Sequence, residues 1–149
     1  MEAYQNILHD HLSYRISMCI LSLLIVGITF VLLKILPRRI GNTTWRSTTV
    51  YLIGWCVVIL GLIACFVQGY HAVNIAIDLS EQSYMTYTGE FHWDEQEGRS
   101  SMDKAELVDI NEKVSAMWAT YTLVDGDYTG KVVYSRRSKI IVEIETCSY

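Results

Sequence analysis

"VYLIGWCVVILGLIACFVQG", Val50 to Gly69, decides how this chain is read: no charge interrupts it. A helix needs about 20 apolar residues to cross the hydrocarbon core of a bilayer, and this run supplies them. A second run lies upstream at Ile16 to Leu36, "ISMCILSLLIVGITFVLLKIL", with Lys34 as its single charge. A buried core helix is the competing reading of one such run. Two of them in a chain of 149 residues leave too little protein to surround both. The segments 16–36 and 50–70 are therefore expected to be two transmembrane helices.

A cleaved signal peptide would also explain the first run. No small-x-small cleavage site follows Leu36, however; the sequence continues "PRRIGNTTWR". Small residues inside the runs (Gly27 and Ser22 in the first, Gly54, Gly61 and Ala64 in the second) would let the helices approach closely. Gly27, Gly54 and Gly61 are the candidate packing positions. Three of the four cysteines, Cys19, Cys56 and Cys65, lie within the spans, and Cys147 stands near the C-terminus. Inside a span cysteine acts as a small apolar residue, and no metal spacing such as C-x-x-C occurs.

Orientation follows from the Lys and Arg of the short flanks. The 37–49 loop and its margins carry Lys34, Arg38, Arg39 and Arg46 without an acid, whereas the 1–15 tail sets Arg15 against Glu2 and Asp10. The loop is expected in the cytoplasm and both termini outside, on a multi-pass protein of the cell membrane. Residues 71–80 keep a helical apolar spacing at Ala72, Ile75, Ala76 and Leu79, and read as a stalk.

At 81–149 the period changes from 3.6 to 2. "SYMTYTGEFHW" puts Met85, Tyr87, Gly89, Phe91 and Trp93 on one face, the pattern of a strand with one buried side. "AELVDI", "KVSAMWATYTL", "YTGKVVY" and "KIIVEIE" make four more strand candidates, the second of which also suits a short helix between Val114 and Trp118. In the last, Ile140, Val142 and Ile144 are expected to face in, with Glu143 and Glu145 facing out. Gly89 and Gly130 fall mid-strand, where glycine marks a bulge or bend. The expected fold is thus a two-helix membrane hairpin carrying a small all-β C-terminal domain, about five strands in an OB-like or SH3-like barrel or roll.

Two motifs in this segment, Tyr87-Thr88-Gly89-Glu90-Phe91 and Gly126-x-Tyr128-x-Gly130-x-Val132-Val133-Tyr134-x-x-x-Ser138-Lys139, resemble those of small two-span bacterial membrane proteins of Gram-positive type. The similarity is loose over Tyr87 to Glu145 and good over the final hairpin. It implies the architecture and a bacterial origin, and it transfers no catalytic residue.

Signs of chemistry are sparse. His9 and His11 flank Asp10, an arrangement more often incidental than metal-binding, and His92 near Asp94 and Glu95 reads as a solvated rim. No phosphate-cradling loop, nucleophile elbow or H-E-x-x-H stands in the sequence. An enzyme, a bound metal and a cofactor are not expected. From Asp78 onward seven Lys and Arg face fourteen Asp and Glu, a net of −7, which repels nucleic acid. The exception is the tip of the last hairpin, where Arg136, Arg137 and Lys139 cluster, either as a solvated turn or as a contact for a ligand or partner.

The partners expected are the bilayer, a protein or peptide outside it, and further copies of the chain. A non-catalytic extracytoplasmic binding module, such as an immunity or envelope-associated protein, is the first reading of function. The alternative is a defence or stress effector whose cytosolic barrel senses an anionic ligand and drives the helices to assemble.

Overall fold

The apolar runs sit inside two long helices, α1 (Glu2–Arg39) and α2 (Thr44–Glu81), each 38 residues. At 1.5 Å per residue each is about 57 Å long, well beyond the apolar run it contains. Helix thus extends through the segments read as tail and stalk, and through parts of the loop at both ends. The structure, a computed structural model, describes residues 2–39, 44–94, 102–116 and 121–147. The side chains of Arg38, Arg39 and Arg46 lie outside that description, as do Glu95, Glu97, Arg99, and the Met117–Thr120 end of the third strand candidate. The chain divides into two units, residues 13–73 and residues 1–12 with 74–149.

In the first unit both helices are long and apolar enough to cross a membrane. Large apolar side chains lie on their surface: Leu24, Leu60 and Phe66 are 57%, 66% and 78% exposed. The helices run antiparallel, shown by partners whose numbers fall in α2 as they rise in α1. Arg15 donates to Gln68 Oε1 at 2.7 Å, Cys19 meets Cys65, Val26 abuts Gly61, and Leu33 covers Gly54. Two of the three expected packing glycines therefore lie at the helix contact, where a Cβ would strike the facing side chain. Gly27 faces open space instead. Apolar residues surround it on every side in sequence, so spacing alone could not tell the two faces apart. Ser22 and Thr29 donate to the carbonyls of Met18 and Ile25, four residues back, which satisfies both hydroxyls within the helix.

The second unit is built on one five-stranded sheet: β1 (Tyr84–Asp94), β2 (Asp103–Leu107), β3 (Glu112–Ala116), β4 (Gly126–Ser135) and β5 (Ile141–Thr146). Its order is β3-β2-β1-β4-β5, with every ladder antiparallel. The β1–β4 ladder runs unbroken from Tyr84↔Ser135 to Trp93↔Gly126 and forms the spine. The sheet curls until its two outer strands meet at a single parallel bridge, Ser115↔Ile140. The interior holds Tyr87, Phe91, Trp93, Ala105, Leu107, Val114, Ala116, Val132, Tyr134 and Ile141. Burying a large apolar side chain of this kind stabilises by about 1.5–3 kcal/mol.

The alternation expected for β1 is present at Tyr87, Phe91 and Trp93, whereas Met85 is 41% exposed. Val114 to Ala116 is strand. Val108 to Ile110, read as the end of a strand, belongs to the β2–β3 turn, which closes through Asn111 at φ 48°; asparagine tolerates that left-handed backbone.

The β5 reading needs a correction. A register shift between Val133 and Tyr134 pairs Val132 with Ile144 but Tyr134 with Ile141, leaving Val142 as an extra residue. That bulge turns Ile141 and Ile144 to the interior together, although three positions separate them. Ile140 and Val142 point to the other side of the sheet. There they pack with Val133, Leu8 and Ile75, flanked by Tyr4, Ile7, Leu12, Leu79 and Tyr84. Near its turn, the outer face of the β4–β5 hairpin is thus covered by the first turns of α1 and the last turns of α2. Sequence alternation assumes one wet face, and the half of this hairpin nearest its turn has none; Lys131, Glu143 and Glu145 keep the other half in contact with water.

Gly130 shows how closely β4 and β5 approach. A Cβ there would collide with the Glu145 carbonyl oxygen and lie 3.0 Å from Thr146 Cα, both backbone atoms that cannot move aside. Gly130→Ala should destabilise the β-unit by about 1–3 kcal/mol. Denaturant unfolding of the full chain in detergent, followed by tryptophan fluorescence, measures the loss; an unchanged midpoint would show that the hairpin has slack.

Candidate functional site: the basic turn between β4 and β5

The turn Ser135–Lys139 is folded around a carboxylate. Asp78 sits in the last turns of α2 and is fully buried. Its Oδ1 accepts from the backbone N–H of Arg137 at 3.1 Å; its Oδ2 accepts from the Ser138 N–H and the Ser138 hydroxyl, each at 2.7 Å. Hydrogen bonds to an ionised group are about twice as strong as neutral ones. Successive backbone N–H groups of this kind form an anion-binding concavity, and here the chain's own carboxylate fills it.

Local sequence builds both halves. On the helix side, Gln82 at φ 51° and a Ser83 N–H bond to the Asp78 carbonyl (3.4 Å) end α2 one turn after Asp78. On the strand side, the Ser135 hydroxyl donates to or accepts from that of Ser138 at 2.6 Å and accepts from the Ile140 N–H at 2.9 Å. Lys139 takes φ 55°, and its N–H bonds back to the Ser135 carbonyl. The Arg136 N–H donates to the Ser83 carbonyl at 3.0 Å, so the turn and the end of α2 are joined on both sides of Asp78.

The three cations have different surroundings. Arg137 pairs with Glu81 at 3.0 Å, with both side chains about half exposed. Lys139 pairs with Glu112 and lies 5.3 Å from the centre of the Tyr134 ring. The Lys139 contact holds the Glu112 carboxyl below its ordinary value, assisted by a 2.8 Å hydrogen bond from the Tyr134 hydroxyl. Burial, then that bond, pushes the Tyr134 hydroxyl up to about 12. Arg136 is exposed and has no ion pair among the described residues. The cluster that the sequence marks as one basic tip is three separate situations, and of the three only Arg136 has no ion pair among the described residues. Asp78 carried no sequence signal beyond being an acid at the end of an apolar helical stripe.

The other candidates are more dispersed. His92 is bonded at 2.7 Å to Asp127, on the neighbouring strand β4, rather than to the acids beside it in sequence. The hydrogen bond to Asp127 holds the imidazole above its ordinary value of 6.5, and the charges of Asp127, Asp94 and Asp125 add to the effect. Nearby Lys104, Glu106 and Lys113 complete a shallow mixed-charge recess, with Lys113 paired to Glu106 at 3.2 Å. Within α1, His11 is buried while His9 and Asp10 are exposed, so the three do not converge. No group of three or more His, Cys, Asp or Glu able to hold a metal occurs among the described residues.

Removing the central carboxylate should be far more damaging than removing the Arg136 charge. Asp78→Ala strands two backbone donors and a hydroxyl and is expected to cost about 1.5–3 kcal/mol, whereas Arg136→Ala should stay within about 0.5 kcal/mol of the parent; urea midpoints of the two variants give the comparison. For His92 the folded value is raised, so the pair's stabilisation is complete below about pH 6.5 and lost as pH climbs through the folded value. An NMR titration should place the His92 midpoint above that of a free histidine, and Asp127→Asn should bring it down. A His92 midpoint unaffected by that change would remove the pair.

No family model, curated protein or solved structure matches this chain.

Proposed function

We propose that the chain is a two-span membrane protein whose β-unit is a non-catalytic interaction module held outside the cell. The unbroken apolar surface of α1 and α2 supports embedding in a bilayer, since soluble monomers rarely expose large contiguous apolar patches. The basic residues between the spans support an outward position of both termini. The strand order, with its parallel contact between β3 and β5, favours an OB-type roll over an SH3-like one.

One observation carries the choice between interaction module and ligand sensor: the donors and two of the three charges of the basic turn are already engaged within the chain. A sensor of anionic small molecules would need that turn open, and Asp78, Glu81 and Glu112 occupy it. The remaining field of the unit is acidic, at −7 from Asp78 onward. Such a field steers encounter with a basic protein or peptide and repels phosphate. Capture of a secreted toxin, as by an immunity protein, is one form this takes, and association of copies through the apolar helices is compatible with it.

Reporter fusions at Glu2 and Tyr149 test the arrangement. Alkaline phosphatase should be active, and green fluorescent protein dark, at both ends. Fluorescence at both ends would instead put the β-unit in the cytosol and favour the effector reading.

A further inference from the structure

Cys19 and Cys65 face one another across the helix pair with their sulfurs 3.0 Å apart. Two sulfurs in ordinary non-bonded contact sit further apart, and a disulfide requires about 2.05 Å, so about 1 Å of closure separates the pair from a bond. Cys19 Sγ also lies 3.7 Å from the Cys65 carbonyl oxygen, which places the Cys19 side chain against the α2 backbone. The helix register around the pair is fixed on both sides. One turn earlier in α1 and one turn later in α2, Arg15 and Gln68 are joined by their 2.7 Å hydrogen bond. One to two turns in the opposite direction, Val26 and the Ser22 carbonyl close on Gly61. The other two cysteines, Cys56 and Cys147, are exposed, and the chain has four in all.

We propose that Cys19 and Cys65 form a disulfide site that staples α1 to α2. The oxidant is a protein or small-molecule disulfide. The thiolate of one cysteine attacks a sulfur of that disulfide, forming a mixed disulfide and releasing one thiol. The second cysteine then attacks the sulfur of the first, forming the Cys19–Cys65 bond and releasing the other thiol. The two protein thiols give up two protons and two electrons, and the acceptor leaves as two thiols. Cys19 is the fourth residue of the apolar run that begins at Ile16, about one helical turn from its polar end, so a small oxidant reaches it from the aqueous side. Under the topology proposed above that side is the outside of the cell, where disulfides persist; the chemistry of the pair itself does not depend on that topology.

The test uses the full chain in dilute detergent micelles, treated with copper phenanthroline, which adds no group to lone thiols such as Cys56 and Cys147, or with dithiothreitol. The protein is then denatured and its free thiols are labelled with a polyethylene-glycol maleimide, which retards the band once per thiol. The expected result is two adducts after oxidation and four after reduction. In the Cys56→Ser/Cys147→Ser variant the expectation is none and two. The Cys19→Ser/Cys65→Ser variant should give two adducts under both conditions. Four adducts on the oxidised parent would overturn the proposal, and so would a disulfide-linked dimer of the Cys56→Ser/Cys147→Ser variant on a non-reducing gel. Neither outcome bears on the reporter fusions, so the two readings fail separately.

Discussion

The buried carboxylate of Asp78 is the constraint on which the β-unit depends. A full charge removed from water is tolerated only where donors replace its hydration. The β4–β5 turn supplies them, through the Arg137 and Ser138 N–H groups and the Ser138 hydroxyl. Meeting that demand fixes the turn's backbone, including the left-handed Lys139, and the turn in turn sets where β5 begins. The Lys139 carbonyl then accepts from Ser115, which is what brings the two outer strands of the curled sheet together. One ionised side chain thus coordinates a helix end, a hairpin and the closure of the sheet.

The hairpin gains a second apolar layer from the same arrangement. With the end of α2 anchored at Asp78, Ile75 and Leu79 lie over Val133, Ile140 and Val142, and Leu8 of α1 joins them. The apolar core of a small β-roll gives only a narrow margin of stability. Covering its outer face with helix adds burial without adding strands. The bulge at Val142 is the backbone device that makes both faces useful, since it puts Ile141 and Ile144 inside while Val142 serves the outer layer.

The basic tip illustrates why site residues were only partly legible in the sequence. Three cations within four positions are visible in any reading of the chain, and their clustering invites a ligand. Their counter-charges, Glu81 and Glu112, are 56 and 27 positions away, and the carboxylate that orders the turn is 59 away. Local sequence holds no record of such pairings. His92 behaves the same way: its sequence neighbours are acids, yet its hydrogen-bond partner is Asp127, brought beside it by the β1–β4 register.

What the sequence determined by itself was everything governed by local period and composition. The apolar runs at 16–36 and 50–70, with Lys34 their single charge, required long apolar helices, the change to period 2 after Ser80 required strands, and each of the five strand candidates overlaps one of the five strands, although Tyr121 to Leu123 at the end of the third is not strand. Tertiary structure decided which faces those elements presented. It set Gly54 and Gly61 at the helix contact but not Gly27, turned Ile140 and Val142 outward, and converted a basic turn into a clasp on Asp78. The physical reason is one of range. Periodicity reports whether a residue can be buried, whereas the partner that buries or neutralises it is chosen by a chain segment tens of residues away.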